Sequence, residues 1–429
     1  MGFDASFRDT DGEHLRGCSL SGTPRVAFFP DAYWEVDGVA MYARHFEAHA
    51  KRNHLPLFLV HAGKENKITQ DGSVTRIELQ RGPLTFPLDK AHSFDSHFLR
   101  HAKKVSVLLR NFRPDLVQIT GPSDVGVLGT WLARKCNVPL AAFWQTDLPG
   151  FAKMRVAQSL GFLPQPLASK LARVAEHGSE AITTRFYKLP KMVFAPNQEI
   201  VDQLTAATKK RCHHMGHGVD LELFHPEKRD RQVTQFSQAE PFIIGYVGRL
   251  SAEKNIRWLA RLEQRLEEQG HRDFRIVVVG QGAESAWLRD NMKRVEFCGV
   301  LSGNELARAY ANMDVLAFPS ETDTFGLVVL EALASGVPAV VTARGGPKFT
   351  VQDGKTGYVA KDFDGFAAGV LALMTQPEKL SEMRVAAREH ALSHSWEQVF
   401  ENIYKSYDRC QPLADTLKAG QANVATPAY

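Results

Sequence analysis

The sequence predicts an α/β protein of two doubly wound parallel-sheet domains facing each other across a cleft, and three observations predict it. The chain has 429 residues, 44% hydrophobic and 23% charged, room for about two or three globular domains. Its apolar residues fall in short continuous runs of Val, Ile, Leu and Phe without polar alternation, the pattern of strands covered by helices on both faces and hence of parallel sheets. Such runs alternate with amphipathic stretches until residues 209–238, a polar and basic bridge, after which the pattern starts again.

The first domain, residues 24–205, takes strands at 25–29, 55–61, 115–120, 139–144 and 192–195, with helical periodicity over 39–53, 97–112 and 123–135. The second, residues 215–392, takes strands at 242–247, 274–279, 295–298, 315–318 and 337–342, with helices over 253–269, 304–312 and 327–335. Residues 1–23 and 411–429 carry little apolar content and read as flexible tails. Ligands of open α/β sheets sit beyond the carboxyl ends of the strands, so the chemistry is to be sought there.

Composition excludes several classes. No apolar stretch reaches the roughly 18 residues of a membrane-spanning helix, and the polar start has no secretion-signal core, so a cytoplasmic protein is expected. The five cysteines, Cys18, Cys136, Cys212, Cys298 and Cys410, are odd in number and far apart, which fits reduced thiols rather than a disulfide framework or a paired metal clip. Net charge is +4, unevenly spread: residues 24–200 hold 23 Lys and Arg against 15 Asp and Glu, residues 201–429 hold 27 against 29. The basic first half hints at an acidic or membrane-surface partner, and a nucleic-acid partner is not expected.

Two strand ends carry the most chemistry. In residues 318–338 a strand ends at Phe318, a turn brings Glu321 and Asp323, and a helix opens around Gly326, where the unpaired N–H groups of a first turn attract an anion. Glu331 follows Asp323 by eight residues, slightly more than two helical turns at about 3.6 residues each, so both carboxylates can face one side. The alternative is that Asp323 and Thr324 are a helix cap and Glu331 is a solvated face. In the other segment, residues 245–255, a strand ends in Gly248-Arg249 and Lys254 stands at the start of the next helix. A guanidinium and an ammonium there would balance a diphosphate, and two carboxylates beside it suit the hydroxyls of a nucleotide sugar.

These residues carry a resemblance. Gly248-Arg249-Leu250 through Lys254-Asn255, the run 319–336, Gly345-Gly346-Pro347 leading to Asp353-Gly354-Lys355-Thr356-Gly357, and Gly218-Val219-Asp220 leading to Phe224-His225-Pro226 together resemble the retaining glycosyltransferases of family 4, the group 1 glycosyltransferases of GT-B fold, with two Rossmann-like domains. The likeness covers nearly all of residues 25–408. It implies transfer of a sugar from a nucleoside-diphosphate donor with its anomeric configuration kept, no metal and no other cofactor being required. By the same match Gly248, Arg249 and Lys254 hold the diphosphate, Glu331 bonds the ribose, and Asp323 with the backbone of Phe325, Gly326 and Leu327 holds the sugar. Arg249, Lys254, Asp323 and Glu331 are then the catalytic candidates. The first domain would bind the acceptor, the second the donor, and a last helix over 396–409 would cross back onto the first. A hinge near 205–215 and closure that shuts out water are implied.

In the first domain Phe29-Pro30-Asp31 and the turn 35–39 resemble the family's first strand and glycine loop, with Gly38 close to phosphate. The segment 143–150 resembles one that carries His beside Thr-Asp in many relatives; here Gln145 stands there, with Asp147 two residues on, as sugar or acceptor contacts. An amide donates a hydrogen bond but takes no proton, so the departing phosphate oxygen is left as the acceptor of the proton. Asp323 likewise replaces the usual Glu with a carboxylate one methylene shorter.

Cys212-His213-His214 with His217 has metal-site composition but no second ligand pair, and reads as a solvated basic turn. Gly280-Gln281-Gly282 is only part of a dinucleotide fingerprint and reads as a tight turn. Residues 151–192 mix Lys153, Arg155, Lys170, Arg173, Arg185, Lys188 and Lys191 with apolar residues, a face that fits a membrane surface as well as ordinary packing. The acceptor is thus a lipid, a lipid-linked sugar or a glycan, and the donor base, uracil or guanine, stays open. Two further readings survive: glycoside hydrolysis or phosphorolysis on the same scaffold, and a regulatory protein that binds a nucleotide sugar without turnover.

Overall fold

In a computed structural model, which describes residues 23–35, 38–87, 93–145, 165–230 and 241–408, the run Val26–Phe29 (β1) is buried along its whole length and forms the middle of a sheet. Helix α1 (Gly38–Arg52) lays its apolar residues, Tyr42 and Phe46 among them, into the core. The chain then adds β2 (Leu57–Gly63), β3 (Lys67–Asp71), β4 (Val74–Gln80), a small pair β5 (Thr85–Pro87) and β6 (Ser93–Asp95), α2 (Ala102–Phe112), β7 (Leu116–Ile119), α3 (Asp124–Lys135), β8 (Leu140–Phe143), α4 (Gln165–Tyr187), β9 (Met192–Ala195), α5 (Gln198–Thr208) and β10 (Cys212–His214). The main sheet has the order β10-β9-β8-β7-β1-β2-β4-β3. All neighbours are parallel except β3, which runs antiparallel to β4 at one edge.

The second run of elements comprises β11 (Phe242–Val247), α6 (Trp258–Glu268), β12 (Phe274–Val279), α7 (Ser285–Asn291), β13 (Val295–Gly299), α8 (Gly303–Ala311), β14 (Val315–Phe318), α9 (Leu327–Ala334), β15 (Ala339–Thr342), α10 (Pro347–Thr350), β16 (Gly357–Ala360), α11 (Phe363–Thr375), α12 (Pro377–Leu392) and α13 (Trp396–Asp408). Its six strands, in the order β13-β12-β11-β14-β15-β16, are all parallel. Fully buried β14 and β15, with nothing but apolar side chains apart from Thr342, are what a sheet sandwiched by helices demands.

The chain divides into two units, Met1–Met215 with Phe400–Tyr429, and Gly216–Val399. Helix α13 belongs to both by sequence: Trp396 lies in the second, while Phe400, Tyr404 and Tyr407 are buried in the first. Phe400 stands edge-on to Tyr42 and Phe46 at 5.2 Å from each, and the Tyr407 hydroxyl donates to Gln118 Oε1 at 3.0 Å.

The structure adds detail at three places. The span 205–215 holds the end of α5 and the edge strand β10, and the chain passes between units at its end, Met215–Gly216, and again at Val399–Phe400. Cys212-His213-His214 is not a solvated turn but that edge strand, with Cys212 buried and the His214 ring bonded to Pro196 O at 3.1 Å. Among the described residues no group of His, Cys, Asp and Glu could hold a metal ion. Finally, β3 and β4 pair around Asp71-Gly72, with Gly72 at φ 57°; this Asp-Gly signal lies in the sequence, but the polar exposed residues of β3 hide the strand.

Candidate functional site

In the second unit the strand order reverses between β11 and β14, so the loops after these two strands meet at the switch point where doubly wound sheets leave a crevice. The first loop is Gly248 to Asn255, held tightly from beside. The Gly248 amide donates to Val279 O at 3.0 Å and the Leu250 amide to Gln281 O at 3.1 Å. A Cβ on Gly280 would lie 1.9 Å from Gly248 O, and one on Gly282 would lie 2.1 Å from Leu250 O. Gly280-Gln281-Gly282 is thus a strand-end turn whose missing side chains let the cationic loop pack down. The helix expected from Glu253 begins later: Ala252–Lys254 is one 3-10 turn, closed by Asn255 in a left-handed conformation (φ 51°), and α6 follows.

That turn brings Lys254 to the second loop. Its Nζ lies 2.8 Å from Asp323 Oδ1, the two side chains being only 13% and 27% exposed. Asn255 Nδ2 donates to Pro319 O at 3.2 Å and Thr322 Oγ1 to Glu253 O at 3.4 Å, so the two loops are stitched across the switch point. Arg249 sits on the first loop but is 69% exposed, its Nε 3.9 Å from Glu253 Oε1.

The second loop is clamped from beyond as well. The Gly346 amide donates to Asp323 O at 2.6 Å and Thr350 Oγ1 to Phe325 O at 3.2 Å. Gly346 leaves no room for a side chain, because a Cβ would lie 2.0 Å from Thr324 O. Gly326 precedes α9 at φ 86° and no side chain caps that helix, so Asp323 and Thr324 are not the cap, and the first amides of α9 are left for another partner. Asp323 Oδ2 is shielded from solvent and has no hydrogen-bond partner among the described residues. A buried carboxylate oxygen without a donor is costly, and its natural remedy is a ligand hydroxyl.

Glu331 lies in the second turn of α9, where the buried Tyr310 hydroxyl donates to its Oε2 at 2.8 Å. Loss of water around the carboxyl raises its pKa to about 7, against the opposing pull of the Tyr310 bond. Tyr310 itself was not among the residues singled out by sequence. Its place on α8, a helix apart, is set only by packing.

Lys254, Asp323 and the Phe325-Gly326-Leu327 turn are therefore brought together, and Glu331 stands on the helix they open. Gly38, which begins α1, and Gln145, two residues past β8 and partly buried, belong to the first unit. Asp147 lies outside the described residues, as do Lys153 and Arg155 of the basic stretch.

Comparisons with known proteins agree with this architecture. A family model described as "Glycosyl transferases group 1" matches residues 241–376. A "GDP-mannose-dependent alpha-mannosyltransferase" of Mycolicibacterium smegmatis is 34% identical over 306 residues, 70% of this chain and 75% of that protein. A protein of the same name from Corynebacterium glutamicum is 31% identical over 308 residues, 71% and 69% of the two. Among solved structures, the sucrose-phosphate synthase of Thermosynechococcus elongatus superposes with a TM-score of 0.68 at 18% identity, over 90% of this chain and 98% of that one; it shares the fold.

Proposed function

The chain belongs to the group 1 glycosyltransferases, and on that ground we propose that it moves mannose from GDP-mannose, with retention of configuration, to a hydroxyl of a lipid, lipid-linked or glycan acceptor. The observation that carries this reading is the unpartnered Oδ2 of Asp323, beside the Lys254 ammonium and the uncapped start of α9. Here a diphosphate is balanced by Lys254, Arg249 and the first amides of α9, while Asp323 Oδ2 accepts from a sugar hydroxyl. The Glu331 carboxylate takes the ribose hydroxyls. The relatives' names favour mannose and guanine, and GDP-mannose carries its sugar α-linked, so an α-linked product means retention.

In the transfer, the bond from the sugar's anomeric carbon to the phosphate oxygen breaks as the new bond to the acceptor oxygen forms on the same face. The acceptor's proton goes to the departing phosphate oxygen, whose growing charge Lys254 and Arg249 offset. Gln145 donates or accepts hydrogen bonds without moving that proton. Because two cations supply the positive charge, turnover is expected to survive EDTA. For the acceptor, the membrane reading has support in α4, which exposes Val174 and Ile182 beside Arg173, although no described helix is long and apolar enough to cross a membrane.

The test is release of nucleoside diphosphate from GDP-mannose and from UDP-glucose, with and without a panel of sugar and polyprenyl-phosphate acceptors. Release from GDP-mannose dependent on one acceptor is the expected result. Saturable binding of GDP-mannose with no transfer to any acceptor favours a binding protein instead, and acceptor-independent release favours hydrolysis.

A further inference from the structure

His217 is placed where the chain enters the second unit, between two glycines that let another segment lie against it. A Cβ on Gly218 would lie 2.5 Å from the backbone nitrogen and Cα of Trp396, and one on Gly216 would lie 3.3 Å from Val399 Cγ2. The Val219 amide donates to His394 O at 2.9 Å, and Val219 bridges Ser395 in parallel. The entering chain at Gly216 and the leaving chain at Val399 therefore run side by side, and the main chain at His217 has little freedom.

The His217 ring, in a residue only 6% exposed, stacks on Phe325 with centroids 4.2 Å apart and planes 23° apart. The Trp396 ring stands 6.5 Å away. Phe325 is the residue before the left-handed Gly326 that opens α9, so whatever fixes its ring fixes the backbone of the site. The far side of that loop is held by the bonds from Gly346 and Thr350; the near side leans on His217. Ring pairs of this kind are worth about 0.5–1.5 kcal/mol beyond the area they bury.

We propose that His217 is a positioning residue for donor binding: its imidazole pins Phe325, and with it the amides of Gly326 and Leu327, to the paired crossing of the chain between its units. The role rests on the reading of residues 323–327 as the donor loop. The crossing and the loop thereby share one ring contact, so a disturbance at one reaches the other.

The test compares the full-length parent with His217→Ala and His217→Phe. Expected for His217→Ala is a rise of about tenfold in the Kd of GDP by calorimetry, UDP being titrated in parallel, with a lowered unfolding midpoint, and both Kd and midpoint recovered in His217→Phe, which keeps a stackable ring. Amide exchange over residues 323–330, measured without nucleotide, is expected to quicken by about tenfold in His217→Ala and to recover in His217→Phe. Unchanged exchange in His217→Ala overturns the proposal. So does a Kd that stays weak in His217→Phe although the midpoint recovers there, which marks a merely structural residue. A parent that binds neither GDP nor UDP sinks the functional reading, and the exchange measurement still decides whether His217 is the clamp.

Discussion

Each of the two large sheets reverses its strand order, between β1 and β7 in the first unit and between β11 and β14 in the second, and the two reversals are bridged in opposite ways. In the first, the Asp31 amide donates to Thr120 Oγ1 at 2.7 Å and Ser123 Oγ donates to Asp31 Oδ1. Ser123 also caps α3, accepting from the Gly126 amide at 3.0 Å. These bonds tie the Asp31 amide, Asp31 Oδ1 and the Ser123 hydroxyl to the fold itself. In the second, the bridge is an ion pair, and it leaves over one carboxylate oxygen of Asp323, an exposed guanidinium on Arg249 and an uncapped helix start. The same topology yields a hydrogen-bonded joint in one place and an ion pair with polar groups left over in the other, and the proposed donor site rests on that difference rather than on the fold.

The sharpest way to break this contrast is Lys254→Ala, which removes the cation bonded to Asp323 at 2.8 Å. A loss in kcat/KM on the order of 10²–10³-fold is expected, with the circular dichroism spectrum kept. Parental turnover in this variant would show that the surplus is not the site.

Next comes Gly346→Ala. Its new Cβ would lie 2.0 Å from Thr324 O, so the loop must shift, and a loss of about 2–3 kcal/mol in denaturant unfolding is expected together with weaker nucleotide binding. Stability lost with nucleotide affinity untouched would separate the loop from the site.

Glu331→Gln keeps an acceptor for Tyr310 but removes the ionisation. A carboxyl whose folded-state pKa of about 7 exceeds its unfolded value favours the native state below the unfolded value, and that advantage is lost as pH rises through about 7. The variant should therefore match the parent near pH 4 and exceed it above pH 7, by on the order of 1–2 kcal/mol after allowance for partial exposure. Donor affinity moves oppositely, since ribose hydroxyls need the charged acceptor: the parent's KM for the donor should fall as pH rises through about 7 and that step should vanish in Glu331→Gln.

Arg249→Ala is expected to cost about tenfold or less in kcat/KM, and less again at high salt, because its side chain stands mostly in water. The smallest effect belongs to the first joint: Ser123→Ala should lower stability by about 1 kcal/mol and leave the Kd of GDP unmoved. A change in that Kd would put the first reversal into the donor site too.

The parallel strands were legible because burial on both faces writes itself as unbroken apolar runs, as in β1, β11 and β14. Of the edge strands, β13 was read at 295–298, whereas β3, largely exposed, and β10, a short Cys-His-His segment, were not, since neither carries such a run. At the site, Asp323, Gly326 and Lys254 could be read because turns and helix starts have local rules. Tyr310 and His217 could not, since a hydrogen bond from α8 to α9 and a ring stack on Phe325 arise only when distant segments pack. Lys254 itself was expected on a helix and stands instead at the end of a 3-10 turn closed by the left-handed Asn255, with its Nζ 2.8 Å from Asp323 Oδ1.

Helix α13 imposes an order of assembly. Phe400, Tyr404 and Tyr407 complete a core whose first strand, β1, leaves the ribosome more than three hundred residues earlier. Until they arrive, Tyr42, Phe46 and Gln118 lack the partners seen here, so the nascent first unit must wait, its apolar floor open, while the second is made and can fold within its own segment. A stop codon near Ser395 would thus spare every residue of the proposed donor loop and still deliver a protein prone to aggregate through its other half.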